Sequence, residues 1–185
     1  MTKFAVTAVI AAGLLSACSL LAPKSPELSE FVRPLSSTLL TVGIPAREAE
    51  ATLVLVARNQ GVETWQTVDN VTVSTQNGII VATRGLGFDV MGSDVSRTLA
   101  ALAGRQGGSY KVHRRYLSAD NHDVAISASC TMGRTAAGLY VEDCTAAGNA
   151  FRNEYALDAS GRVARSKQWI GPEVGYLVTS HARAG

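Results

Sequence analysis

Cysteine has the most reactive side chain in this chain, and there are three: Cys18, Cys130 and Cys144. Cys130 and Cys144 are equidistant from Ala137, and the residues between them read as a hairpin. Asp123 to Ser129 alternates apolar and polar residues, with Val124, Ile126 and Ala128 on one face. Leu139 to Cys144 is the return strand, and Gly133 and Gly138 lie in the connection. A hairpin centred on Ala137 sets the two thiols opposite one another, within disulfide reach if the chain is exported to an oxidising compartment. Closing a loop of this size stabilises a fold by about 3 kcal/mol in the chain-entropy model. Two separate buried thiols are the alternative. No histidine lies at ligand spacing from either cysteine, so neither a metal site nor a cofactor is expected.

The remaining chemistry-bearing residues do not assemble into a catalytic pattern. His113, His122 and His181 fall in different segments, and none forms an H-x-x-x-H or H-E-x-x-H arrangement. There is no G-x-S-x-G elbow and no phosphate-binding P-loop. Gly85-Leu86-Gly87 begins like a dinucleotide fingerprint, but the third glycine position is Val90 and the surroundings are β-rich, so a strained β-connection is the better reading. Acidic residues are dispersed; Asp89 and Asp94 are accounted for by turn and helix-cap duties. The chain is read as a non-enzyme.

Cys18 has a different context. Lys3 is followed by a twelve-residue apolar run from Phe4 to Leu15, then by Ser16, Ala17 and Cys18. The run is too short to cross a membrane, which takes ~20 apolar residues, and it has the layout of a secretory signal. Leu15-Ser16-Ala17-Cys18 resembles the bacterial lipobox, in which the cysteine thiol is diacylated and becomes the new N-terminus. An ordinary signal-peptidase site after Ala17 is the alternative. Residues 1–17 are therefore expected to be removed, with Cys18 holding the chain to a membrane by lipid. Ser19, in place of the Asp that retains lipoproteins in the inner membrane in the enterobacterial sorting pattern, implies the outer membrane, on its periplasmic face. Removing 17 of 185 residues leaves 168, enough for one domain. Formal charge drops from +2 to +1 with Lys3, and the arginines are scattered apart from Arg114-Arg115, so nucleic acid is excluded as a partner.

Behind Cys18, four of the five prolines fall at 23, 26, 34 and 45. This implies a tether and a short helix around Ser25 to Leu40 within residues 18–45, followed by a single β-rich domain over 46–185. Strands are expected at 52–57 (buried on both faces), 64–67, 70–75, 79–83, 110–117, the cysteine hairpin, 151–157, 163–170 and 174–179. Asn77-Gly78 is a strong two-residue hairpin signal. Residues 85–92 read as an irregular connection. Asp94 to Ala103 is expected as a helix, capped by Ser93 or Asp94, with Val95, Leu99 and Leu102 on one face. About ten short strands with one or two short helices argue for an all-β fold, an antiparallel sandwich or barrel.

Two blocks carry a family resemblance. Trp65, Asn77-Gly78-Ile79 and Thr83-Arg84-Gly85-Leu86-Gly87-Phe88-Asp89 form the first. The second runs from Phe151-Arg152-Asn153-Glu154-Tyr155 through Asp158 and Gly161-Arg162-Val163 to Ser166-Lys167-Gln168-Trp169-Ile170-Gly171-Pro172. Their order behind a lipobox resembles the YjbF/GfcB family of exopolysaccharide and group 4 capsule lipoproteins. The resemblance implies an all-β lipoprotein anchored in the outer membrane, acting as an accessory in polysaccharide production or export, with polysaccharide or export-machinery proteins as partners. A structural envelope lipoprotein that only docks proteins is the alternative. Aromatic faces stack on sugar rings and amides read hydroxyls, so Trp65, Asn153, Tyr155, Gln168 and Trp169 are the available contact residues if they are exposed. Core packing of both tryptophans is the competing reading.

Overall fold

The computed structural model describes residues 38–105, 107–118 and 120–183. The expected signal segment, Cys18 and the tether as far as residue 37 lie outside the described residues. Within them the chain forms twelve antiparallel strands in one sheet. These are β1 (Thr38–Ile44), β2 (Ala49–Asn59), β3 (Val62–Gln66), β4 (Thr72–Gln76), β5 (Ile79–Arg84) and β6 (Asp89–Asp94). After the one α-helix among the described residues, α1 (Ser96–Leu102), come β7 (Ser109–Leu117), β8 (Asp123–Arg134), β9 (Tyr140–Ala146), β10 (Asn149–Leu157), β11 (Val163–Gly171) and β12 (Gly175–Arg183). A 3-10 turn at Pro45–Arg47 joins β1 to β2.

The strand order is β5-β4-β3-β2-β1-β12-β11-β10-β9-β8-β7-β6. Each strand thus pairs with its neighbour in sequence, and β1 pairs with β12, Thr38 opposite Arg183. The two ends of the sheet, β5 and β6, are consecutive in the chain, so the sheet curls into a nearly closed up-and-down barrel. At the seam, side chains stand in for ladder hydrogen bonds. Thr83 Oγ1 donates to Asp89 Oδ1 (3.0 Å) and accepts from Val90 N (2.9 Å). Asp89 also accepts from the backbone N–H groups of Gly85 and Leu86.

A twelve-stranded barrel would be wide if it were round, and this one is pinched. Gln168 on β11 reaches across to β5, accepting from Ile80 N (3.1 Å) and donating to Gly78 O (3.3 Å) and Ser166 Oγ (2.7 Å). Val163 N donates to Asn77 O beside it. Apolar side chains fill the space on either side of the pinch. One cluster gathers Leu40, Leu53, Leu55, Trp65, Val73 and Leu177, with Phe88 stacked on Tyr116 at 4.9 Å. A second surrounds the Cys130–Cys144 disulfide, and a third seats α1 through Leu102 against Ile79, Tyr155 and Val163. Each fully buried aliphatic side chain of this kind contributes about 1.5–3 kcal/mol.

Three sequence expectations need correction. The short helix assigned to Ser25–Leu40 is contradicted at its C-terminal end, because Thr38–Leu40 are in β1; Leu40 and Val42 alternate inward there, so the barrel begins inside the stretch read as tether. Strand β2 is not buried on both faces: Leu53 and Leu55 are buried while Thr52 and Ala57 are exposed, the alternation of an antiparallel sheet with one wet face. The irregular connection at 85–92 contains β6, which the glycines concealed. The N-cap position of α1 is Val95, one residue beyond the expected cap, and Asp94 Oδ1 accepts from Ser96 N at 3.0 Å ahead of it.

Candidate functional site

The disulfide lies where the hairpin symmetry placed it. Cys130 and Cys144 are register partners on β8 and β9, with Cα atoms 4.1 Å apart and the sulfurs bonded. The hairpin closes through Thr135 N to Leu139 O and Gly138 N to Thr135 O. Glu142 approaches the two sulfurs, but bonded cysteines offer no thiolate, and the carboxylate is already engaged. Thr98 Oγ1 (2.7 Å) and Tyr110 OH (2.7 Å) donate to one oxygen, Asn153 Nδ2 (2.8 Å) and Tyr155 OH (2.9 Å) to the other. Burial, first, and the Glu142 charge hold the Tyr110 and Tyr155 hydroxyls above the usual tyrosine range. This network ties α1, β7, β9 and β10 together around one acidic group.

The five side chains named from sequence as contact candidates belong mostly to this interior. Trp65 is 1% exposed; its Nε1 donates to Thr75 Oγ1 at 3.1 Å, and its ring meets His181 edge-on at 5.2 Å. Asn153, Tyr155 and Gln168 are 1%, 0% and 0% exposed. Trp169 is partly buried, stacked on Phe151 with ring centroids 4.4 Å apart. Here the β10–β11 ladder, which runs from Glu154–Lys167 to Leu157–Val163, has ended, and side chains complete it. Asn153 Oδ1 accepts from Trp169 N at 2.8 Å, and the Arg114 guanidinium donates to Trp169 O. The structure therefore gathers Asn153, Tyr155 and Trp169 around Glu142 and Arg114, assigns Gln168 to the pinch, and leaves Trp65 apart in the main core. None of the four buried residues offers a face to a sugar ring.

An open cleft of about 750 Å³ lies elsewhere. Four chain segments distant in sequence build it: the β2–β3 hairpin, the β4–β5 hairpin, the C-terminal end of α1 and the β10–β11 turn. Both hairpins use two-residue loops with positive φ at each position, Gln60-Gly61 and Asn77-Gly78, the geometry that matches strand twist. Leu99, Leu102 and Leu157 form its apolar lining, and Arg58, Arg105 and Arg162 its cationic one. Glu63, 7% exposed, fixes two of these arginines: Arg58 Nε donates to Oε1 at 3.2 Å and Arg162 Nη2 to Oε2 at 2.7 Å. A smaller cleft of about 320 Å³ adjoins it across the same three residues and reaches Trp65 and His181. Sequence reading missed this site, because scattered arginines and polar turn residues carry no signal until the turns are brought to one end of the barrel. Of its three arginines only Arg162, in the second resembling block, was noted.

The model of the YjbF family, described as group 4 capsule polysaccharide lipoprotein, matches residues 24–180. The chain belongs to this family. The crystal structure of the hypothetical lipoprotein YmcC from Escherichia coli (K12) aligns with a TM-score of 0.68 at 18% identity, over 85% of this chain and 93% of that one. At that identity the likeness is one of fold. No curated protein sequence matches the chain. The blocks that resemble the YjbF family coincide with the closure devices of the barrel: Thr83 and Asp89 at the seam, Gln168 at the pinch, and Asn153, Tyr155 and Trp169 where the β10–β11 ladder ends.

Proposed function

We propose that the protein is an outer-membrane lipoprotein that assists exopolysaccharide or capsule production or export without catalysing a reaction. The observation that carries this reading is the family match across residues 24–180 to capsule polysaccharide lipoproteins. The lipobox-like Leu15-Ser16-Ala17-Cys18 and Ser19 supply the anchor and its destination; two acyl chains give stable attachment where one does not. A pinched, disulfide-tied barrel is a rigid body suited to holding polymer or an export partner at a membrane.

A clean deletion of the gene tests this. Surface or secreted polysaccharide should fall while intracellular sugar precursors continue to be made. Unchanged polymer output in a strain with no second homologue would overturn the reading and favour a purely structural envelope role.

A further inference from the structure

We infer that the cleft between the β2–β3 hairpin and the end of α1 binds an anionic glycan segment, its arginines pairing with sugar carboxylate or phosphate groups. The inference deepens the proposed role in polysaccharide handling and rests on it. Three guanidinium groups line the cleft, Arg58, Arg105 and Arg162, against one carboxylate, Glu63. That carboxylate is nearly buried and shared between two of the arginines, so it positions them more than it neutralises the cleft. Arg58 and Arg162 remain 57% and 42% exposed. Each spends one recorded N–H on Glu63, leaving most of a five-donor fork for a planar anion. Arg105 is exposed and makes no ion pair among the described residues.

The rest of the lining fits a sugar better than a free inorganic anion. Asn59, Gln76 and Asn77 offer amides to hydroxyl groups, while the half-buried Leu99 and Leu157 offer apolar surface to the C–H faces of a sugar ring. The volume, about 750 Å³, falls in the ~300–1,000 Å³ range of small-molecule sites. The cleft is open, so a longer polymer can pass through it with a few units engaged. Asp158, the other acid nearby, lines only the smaller cleft, and its Oδ1 is occupied by Ser160 and by Arg162 N.

Titration calorimetry on the full chain in detergent tests the assignment, with oligogalacturonate, phosphomannan and neutral dextran as probes. Either acidic polymer, or both, should bind, more weakly at 0.3 M than at 0.05 M salt (roughly, as screening requires), and the two arms tell carboxylate from phosphate. Dextran should not bind measurably. Arg105→Glu, an exposed change, should weaken acidic binding by about tenfold or more, the size of one lost charge-assisted contact, with an unchanged melting temperature. Arg162→Ala should weaken acidic binding likewise while lowering the melting temperature, because nearly buried Glu63 loses a partner, and Arg162→Lys should restore part of the binding if charge is what matters. Equal affinity for dextran, or undiminished acidic binding in Arg105→Glu and Arg162→Ala, would overturn the inference, as would no binding by any probe. The two readings fail separately. A deletion strain fully complemented by an Arg58→Ala, Arg105→Glu, Arg162→Ala triple variant removes the cleft but keeps the polysaccharide role, whereas a deletion without phenotype removes that role itself.

Discussion

Glu142 shows how much of this interior depends on single polar groups. Four donors from α1, β7 and β10 converge on one carboxylate that is 1% exposed. Removing any of them leaves part of a buried acid without its partner, a penalty larger than the net value of the bond made. The tyrosines also give the fold a pH dependence. Tyr110, Tyr155 and Tyr116 all have hydroxyls held above the ordinary tyrosine value, burial being the main cause in each. Their unfolded counterparts ionise near pH ~10. Below that pH both states are protonated and the stabilisation is fully present; as pH rises past ~10, only the unfolded chain loses protons and stability falls. The linkage slope is about 1.4 kcal/mol per pH unit for each such tyrosine. Urea unfolding between pH 8 and pH 11 should therefore show a steep alkaline loss, and Tyr155→Phe should flatten it while lowering stability at neutral pH. An equal slope in wild type and Tyr155→Phe would show that Tyr155 ionises as readily in the folded state as in the unfolded one.

At the level of elements, the tight turns decide register and the pinch decides how the walls meet. Gly78 serves both. Its φ is +82°, and a Cβ built there would lie 2.3 Å from Val163 O and 2.8 Å from Val163 Cβ. Gly148, in the β9–β10 loop, has nearly the same φ, +81°, with nothing within 4 Å. Gly148→Ala should therefore cost only the left-handed backbone penalty, about 1–2 kcal/mol. Gly78→Ala should add an overpacking cost of about 1–3 kcal/mol, because the β4–β5 hairpin can no longer seat on β11. Equal losses for the two variants in denaturant titrations would show that the walls do not touch there. The Asn77-Gly78 turn and the Cys130–Cys144 pairing were legible in sequence because each is a local pattern, a dipeptide in one case and a symmetric hairpin in the other. Strands β1 and β6 were not. Leu39 to Val42 sits among prolines that suggest a tether, and Asp89 to Asp94 follows glycines that suggest a loop, so tertiary pairing overrode the local signal in both. The contact candidates were misdirected for a related reason. Asn153, Tyr155, Gln168 and Trp169 have the chemistry to bind sugar, but the same amides and hydroxyls complete a barrel wall where backbone pairing stops. The cleft arginines, split between two turns and a helix end, had no pattern to find.

For the whole molecule the question is whether the barrel needs the proposed lipid anchor in order to fold and to act. Every strand among the described residues lies downstream of Cys18, within 38–183, and the first and last of them, β1 and β12, pair with each other. Folding should then be independent of the anchor. Cys18→Ala should yield a chain with the Cys130–Cys144 disulfide formed and an unchanged melting temperature, yet with no palmitate label and no membrane band. Each buried CH₂ contributes about 0.8 kcal/mol, so loss of the acyl chains removes the attachment outright. Ser19→Asp leaves the lipid in place and alters only the residue after it, so the label should persist while the protein moves to inner-membrane fractions of a density gradient. Polysaccharide output should fall in both variants, since each retains an intact cleft in the wrong place. A labelled, unchanged membrane band in Cys18→Ala would end the lipoprotein reading of Leu15-Ser16-Ala17-Cys18. Full complementation by the soluble form would separate the two claims, leaving the anchor real but unnecessary and the barrel sufficient on its own.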